Sequence, residues 1–106
     1  MMNFQQMMKQ AQDMQLKIQQ MQEKLMDVEV EGESGGGMVK VVMTCAGKLT
    51  RITIDNSLMN SDKETLEDLI VAAVNNATEA KDGRIKSETR SMMEGLGLPS
   101  DMNLPF

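Results

Sequence analysis

The sequence predicts an α+β protein with the element order α-β-β-β-α, and three patterns within its 106 residues indicate this class. A heptad repeat of apolar residues occupies the first quarter of the chain. The middle of the chain alternates apolar and polar residues and is interrupted by two glycine-containing turns, and a second stretch of helical periodicity follows. Together these patterns predict a long N-terminal helix, a three-stranded antiparallel sheet and a second helix.

The first predicted element is a long amphipathic helix. Its apolar residues are spaced alternately by three and four positions, which places them on one narrow stripe of the kind through which helices pair. We call these eight residues the seam: Phe4, Met7, Ala11, Met14, Ile18, Met21, Leu25 and Val28. The seam can pack on the chain's own sheet, as in most amphipathic helices. Because so short a chain has only a modest core, the alternative that the seam forms a homodimer is favoured.

The pattern changes to a period of two where the first strand begins. Val28 and Val30 alternate with Glu29, Glu31 and Glu33, which is typical of a strand with one solvated face. Three acids on one face can in principle hold a cation. A solvated face that resists aggregation is favoured, because sites for hard cations draw their ligands from bends and from several elements.

Two turn signals separate the next two strands. The Ser-Gly-Gly-Gly segment at 34–37 permits a reversal into a strand over 39–45, and Ala-Gly at 46–47 turns the chain into a third strand over 49–54. The result is an antiparallel meander. No phosphate-binding loop is predicted, since such a loop requires Ser or Thr after its lysine and Lys48 is followed by leucine.

The second helix is predicted to begin at a capping box formed by Ser61 and, three residues later, Glu64. Apolar residues continue at helical spacing through 66–77 and include alanines that allow close packing on a sheet. Beyond Ala80 the chain becomes basic, with Ile85 as its apolar residue, and we expect this stretch to project into solvent. We predict one domain over 1–90.

The tail over 91–106 alternates Gly, Leu and Pro, so we expect it to be irregular. No membrane is expected as a partner, because no apolar run approaches the roughly twenty residues of a membrane span. The first residues also lack the features of a signal peptide. The sequence therefore predicts a cytoplasmic location.

Composition disfavours an enzyme. The chain contains no histidine, the commonest general acid or base and the commonest transition-metal ligand. Its single cysteine, Cys45, cannot form an internal disulfide, and on the apolar face of a strand it is predicted to be a small buried hydrophobe. We therefore predict no catalytic residue, no metal site, no cofactor and no small-molecule substrate.

The distribution of charge is more informative than its sum. A formal net charge of −5 argues against a nucleic-acid partner, because phosphate binding depends on Lys and Arg. The basic residues are segregated, however: residues 38–54 carry a net +3 and residues 81–90 a net +2. A local basic surface can override the net charge.

The order of these motifs resembles the YbaB/EbfC family, which comprises nucleoid-associated DNA-binding proteins of bacteria. The resemblance covers essentially the whole chain. Its most specific parts are Leu-Glu-Asp-Leu-Ile-Val-Ala-Ala-Val-Asn at 66–75 and Gly-Met-Val-Lys-Val at 37–41, with further similarity at 7–12 and 95–99.

This resemblance implies a tight homodimer with projecting helices that binds double-stranded DNA with little sequence preference and alters its conformation. A nucleoid location and effects on nucleoid organisation and gene expression are also implied. If DNA is the partner, we expect backbone contacts from Lys81, Arg84, Lys86, Arg90, Lys9, Lys17 and Lys24. The alternative is a dimeric protein-interaction adaptor that uses the Met-rich seam and the apolar tail.

Overall fold

A computed structural model of the chain describes residues 3–95 and residue 97 and confirms the α-β-β-β-α order. The molecule is elongated, with extents of 72 × 22 × 17 Å. Short 3-10 helices follow β1 and β3 at Gly35–Gly37 and Asn56–Asn60. The main elements are α1 (Phe4–Met26), β1 (Glu29–Ser34), β2 (Val39–Thr44), β3 (Leu49–Ile54) and α2 (Lys63–Gly95).

Helix α1 is capped at its N-terminus by Asn3, whose side-chain oxygen accepts a hydrogen bond from the Gln6 amide at 2.8 Å. This bond satisfies one of the amides that the first helical turn leaves without a partner. The helix ends at Met26, and the amide of Val28 then donates to the Leu25 carbonyl at 3.0 Å. The chain therefore passes from α1 into β1 through a very short connection.

The sheet is an antiparallel meander in the order β1-β2-β3, as predicted. The turn between β2 and β3 depends on Gly47, which has a φ of 87° and donates its amide to the Thr44 carbonyl at 2.9 Å. Positive φ is a conformation that glycine adopts without steric cost. A register shift between Val42 and Met43 then places Leu49 opposite Met43.

The core lies between one face of the sheet and the first half of α2. Val39 and Val41 on β2 and Ala73 and Ala77 on α2 are fully buried. Small side chains on α2 allow the helix axis to approach the strands closely. Leu58, from the 3-10 helix after β3, closes one end of this core.

Gly32 is the point of closest approach between β1 and α2. It is buried, and a Cβ atom added there would lie 2.5 Å from the Ala73 carbonyl oxygen and 2.7 Å from the Ala77 Cα atom. Both atoms belong to the helix backbone. Helix α2 therefore packs backbone to backbone on β1, a contact that tolerates no side chain at this position.

Helix α2 covers β1 and β2 but leaves β3 open. Leu49 and Ile52 on β3 are 39% and 43% exposed, although Ile52 stands opposite the fully buried Val41 of the neighbouring strand. One edge of the sheet thus keeps apolar surface in contact with solvent in the single chain.

The bounds of α2 differ from the prediction at both ends. The helix starts at Lys63, one residue later than a cap at Ser61 predicts. Its first hydrogen bond accordingly runs from the Leu66 amide to the Asp62 carbonyl, at 3.2 Å. At the other end α2 passes residue 90 and continues to Gly95. The expectation of irregular structure is therefore wrong for 91–95.

The reason lies in the residues after Arg90. Ser91, Met92, Met93 and Glu94 contain no helix breaker, and Met93 is only 1% exposed, so burial favours the continued helix. The helix ends where Gly97, with a φ of 74°, donates its amide to the Glu94 carbonyl at 3.1 Å. The remaining expectation about the tail, over 96 and 98–106, lies outside the described residues.

Candidate nucleic-acid interface

A cleft of about 410 Å³ lies between the C-terminal half of α1 and the distal part of α2. Its floor is apolar and consists of the seam residues Met21, Leu25 and Val28. Its rim is polar and consists of Lys17, Gln20, Lys24, Arg84 and Glu88. The cleft therefore presents three positive charges and one negative charge around an apolar base.

Two of the basic side chains come from α1. Lys17 and Lys24 are seven residues apart, so they project from nearly the same side of the helix, two turns from each other. Both are exposed. The heptad repeat that aligns the seam thus also aligns these lysines beside it.

Arg84 supplies the third positive charge. It lies within about 20° of Ala73 and Ala77 around the helix axis, because seven and eleven residues are close to whole numbers of turns. The side of α2 that packs on the sheet is therefore continued by Arg84 beyond the sheet, where it faces α1. Arg84 Nε donates to Glu88 Oε1 at 2.8 Å, and the two side chains are 47% and 40% exposed.

Lys81 precedes Arg84 by one turn. Its side chain is only 21% exposed, and its Nζ lies 3.2 Å from Oδ1 of the neighbouring Asp82. Lys81 is therefore more enclosed than Arg84. Lys81 is not among the residues that line the cleft.

The remaining predicted contacts are not brought into the cleft. Lys86 and Arg90 lie about 160° and 120° from Arg84 around α2, so they face away from the cleft. Lys9 lies two turns before Lys17 on α1, beside Asp13. The seven basic residues thus fall into a cleft group of three, the more enclosed Lys81, a pair that faces away from the cleft on α2 and one lysine near the start of α1.

The seam is most exposed at its N-terminal end. Phe4 is 74% and Met7 55% exposed, and Ala11 is exposed as well. Met14, Ile18, Met21 and Val28 are half-buried, and Leu25 is 8% exposed. The chain therefore partly covers its own seam from Met14 onward and leaves Phe4, Met7 and Ala11 exposed.

The sequence model of the YbaB/EbfC DNA-binding family matches residues 1–96. The chain belongs to this family. Family members are nucleoid-associated DNA-binding proteins rather than a class of enzymes, which agrees with the basic cleft described above.

A solved structure supports the fold of this YbaB/EbfC protein. The crystal structure of the uncharacterized protein HP0035 from Helicobacter pylori matches with a TM-score of 0.68 and 31% sequence identity. The match covers 88% of this chain and 99% of that chain. The two proteins therefore share a fold over most of this chain rather than one motif.

Cys45 is buried in this YbaB/EbfC protein, as predicted, and lines a second, apolar cavity of about 230 Å³. Leu25, Met26 and Ile85 also line the cavity, which lies where α1 and α2 leave the sheet. Burial raises the pKa of the Cys45 thiol, and the positive charge of Arg84 partly offsets this. The thiol is thus kept in its neutral, less nucleophilic form.

Two further properties concern the described part of this YbaB/EbfC protein. Residues 3–95 and 97 contain no group of three or more carboxylate or thiol side chains arranged to hold a metal ion, and Glu29, Glu31 and Glu33 form no such group. Neither helix, within the same residues, is both long and apolar enough to cross a lipid bilayer.

Sequence reasoning missed Glu88, the acid in the rim of the cleft. Its spacing of four residues from Arg84 is the usual signal of a helical ion pair. That signal does not reveal that the pair faces another helix, because the orientation of α2 depends on its packing against the sheet.

Proposed function

We propose that this protein is a homodimeric nucleoid-associated protein that binds the backbone of double-stranded DNA with little sequence preference. Binding alters the conformation of the DNA and thereby affects nucleoid organisation and gene expression, and the protein is located in the nucleoid. The observation that carries this proposal is the cleft that places Lys17, Lys24 and Arg84 together on an otherwise acidic chain. Phosphate contacts position a protein on DNA without reading its sequence.

Self-association is supported by the apolar surface that one chain leaves uncovered. The exposed Phe4 and Met7 of the seam and the exposed Ile52 of β3 would lose contact with water in a dimer. A dimer also doubles the cleft. Two clefts would present six positive charges to one duplex, and two copies of a local basic surface can attract DNA despite the net charge.

The test is DNA binding measured by fluorescence anisotropy as a function of salt, with the mass in solution from sedimentation. Six phosphate contacts predict that log K falls with log salt at a slope of about −5, a loss of about three orders of magnitude between 50 and 200 mM. A flat response, or a monomer that binds as tightly as the dimer, would contradict the proposal.

Charge reversal separates the basic groups. R84E should weaken DNA binding more strongly than R90E, because Arg84 lies in the cleft and Arg90 faces away from it. Both variants should keep the helical signal and the mass of the wild-type protein. Equal losses for the two variants would contradict the claim that the cleft is the main DNA contact.

The exposure of several large apolar side chains on α1 favours a second candidate, a dimeric adaptor for another protein. Met8, Leu16 and Met26 lie outside the seam and are 47%, 53% and 53% exposed. A flexible methionine surface suits varied protein partners. An adaptor predicts no change in anisotropy with any unrelated duplex at micromolar protein, so the same titration distinguishes the two candidates.

A further inference from the structure

The cleft between α1 and α2 contains an acidic residue, although a phosphate-binding site depends on basic residues. Glu88 lies on its rim with Lys17, Lys24 and Arg84. Its Oε1 atom accepts a hydrogen bond from Arg84 Nε at 2.8 Å. A carboxylate oxygen in this position offers the arginine the same kind of acceptor as a phosphate oxygen.

We propose that Glu88 is an internal counter-ion that a DNA backbone phosphate displaces from Arg84 when the cleft binds. This inference rests on the proposed DNA-binding function and adds a residue that sets its strength. In the free protein the carboxylate holds the guanidinium, and in the complex the phosphate takes its place. Glu88 thereby lowers the affinity of the cleft for DNA and keeps the contact reversible.

The position of Glu88 supports competition rather than a structural role. It lies about 40° from Arg84 around α2, on the side that faces α1, so its charge is directed into the cleft. The ion pair is also exposed enough to exchange, since the two side chains are 47% and 40% exposed. Exposed helical pairs of this spacing add little to stability, so the fold does not require Glu88.

The Arg84–Glu88 bond leaves Arg84 free to change partners. The bond joins Nε to one carboxylate oxygen. A guanidinium has further N–H donors on its two terminal nitrogens, which can engage a phosphate before the Nε bond breaks. Exchange of the carboxylate for a phosphate therefore needs no step in which the arginine loses every acceptor.

Helix α2 contains a matched ion pair far from the cleft. Lys63 Nζ lies 4.0 Å from Glu67 Oε1, and the side chains are 92% and 61% exposed. Glu67 lies about 30 Å before Glu88 along the helix. E67Q and E88Q remove the same charge from the same kind of helical pair, so their difference isolates the effect of the cleft.

The experiment compares wild type, E88Q and E67Q by fluorescence anisotropy on one duplex over a range of salt. E88Q should bind about three- to fivefold more tightly than wild type at moderate salt, the effect expected from loss of a partly exposed counter-ion. Its salt slope should match that of wild type, because Arg84 neutralises the same phosphate in both complexes. E67Q should match wild type in both quantities.

A second pair of variants identifies Arg84 as the partner. In an R84Q background, E88Q should improve binding no more than E67Q does, because the arginine to be released is absent. If E88Q binds more weakly than wild type, Glu88 positions Arg84 and the proposal is wrong. It is equally wrong if the gain from E88Q persists unchanged in the R84Q background.

The outcomes also distinguish this inference from the proposed function. If wild type binds DNA with a steep salt dependence and E88Q equals E67Q, only the counter-ion role fails. If neither wild type nor any variant binds DNA, the proposed function and the counter-ion role fail together. Circular dichroism of each variant checks that the helices are intact, and E88Q should unfold within a few degrees of wild type.

Discussion

Replacement of Gly32 by alanine tests the packing of β1 against α2 directly. The added Cβ would lie 2.5 Å from the Ala73 carbonyl oxygen and 2.7 Å from the Ala77 Cα atom. Carbon atoms in favourable contact are about 3.5–4.0 Å apart, so the helix must move away by about 1 Å. No change of side-chain rotamer relieves this clash, because the atoms that would be contacted belong to the backbone.

The expected cost follows from this geometry. Overpacking of a well-packed core costs about 1–3 kcal/mol, and a clash with a helix backbone belongs in the upper part of that range. We therefore expect G32A to lower the free energy of unfolding by about 2–3 kcal/mol. For a domain of this size the midpoint of thermal unfolding should fall by about 10–20 °C.

The measurement is thermal and urea unfolding followed by far-UV circular dichroism, at equal protein concentrations because self-association shifts the midpoint. G83A is the matched control. Gly83 lies inside α2, and a Cβ there meets no atom within 4 Å, so alanine should raise stability by about 0.5–1 kcal/mol. If G32A is as stable as wild type while G83A behaves as expected, β1 and α2 do not pack backbone to backbone.

Three further predictions concern single side chains. Ser34 Oγ donates to the Leu69 carbonyl at 2.6 Å in a part-buried position, so S34A should lose about 1 kcal/mol in urea unfolding, and an unchanged midpoint would contradict this bond. Burial raises the pKa of the Cys45 thiol, so a disulfide reagent at pH 8 should modify the folded protein more slowly than the urea-unfolded protein; equal rates would refute its burial. The Ser57 amide, donating to Asp55 at 2.9 Å, lowers the pKa of Asp55 below its ordinary value of 3.8. The ionised Asp55 side chain therefore stabilises the fold fully above its ordinary pKa of 3.8, and this contribution is lost as the pH falls through the lower pKa of the folded protein. D55N lacks the titrating group, so it should lose less stability than wild type on acidification below about pH 4.

The order of elements was predictable because each element depends on local periodicity. Three signals depend only on residues close to one another in the sequence: the heptad spacing of the seam, the alternation around Val30 and the glycine at position 47. Because the connections between the strands are short, consecutive strands pair with each other and form a meander. These features predicted the α+β class that the structure and the family confirm.

Features that depend on contacts between elements were not predictable in this way. Gly32 occupies an apolar position in the pattern of β1, and its role appears only once α2 is placed against it. The uncovered face of β3 has the same cause, since alternation in Ile52 and its neighbours predicts a buried face without indicating which strands the helix covers.

The candidate site was predictable as a set of charges but not as an arrangement. The clustering of basic residues after Ala80 indicated a basic surface, and membership of the family agrees with a DNA partner. The separation of Arg84 from Lys86 and Arg90 depends on the angular position of each residue on one continuous helix. That position is determined by the packing of Ala73 and Ala77 rather than by the local sequence.

The continuity of α2 has a consequence for how such proteins tolerate changes in length. One hydrogen-bonded helix runs from the sheet to the cleft, so the seating of Ala77 on Gly32 sets the direction in which Arg84 points. Inserting one residue between Ala77 and Arg84 would rotate the distal helix by about 100° and turn the arginine away from Lys17 and Lys24. An insertion of seven residues would restore the angle to within about 20° but move the arginine along the axis by about 10 Å. The distance of Arg84 from the sheet and its angle around the helix axis are therefore linked. The segment between Ala77 and Arg84 cannot vary in length as an ordinary loop does.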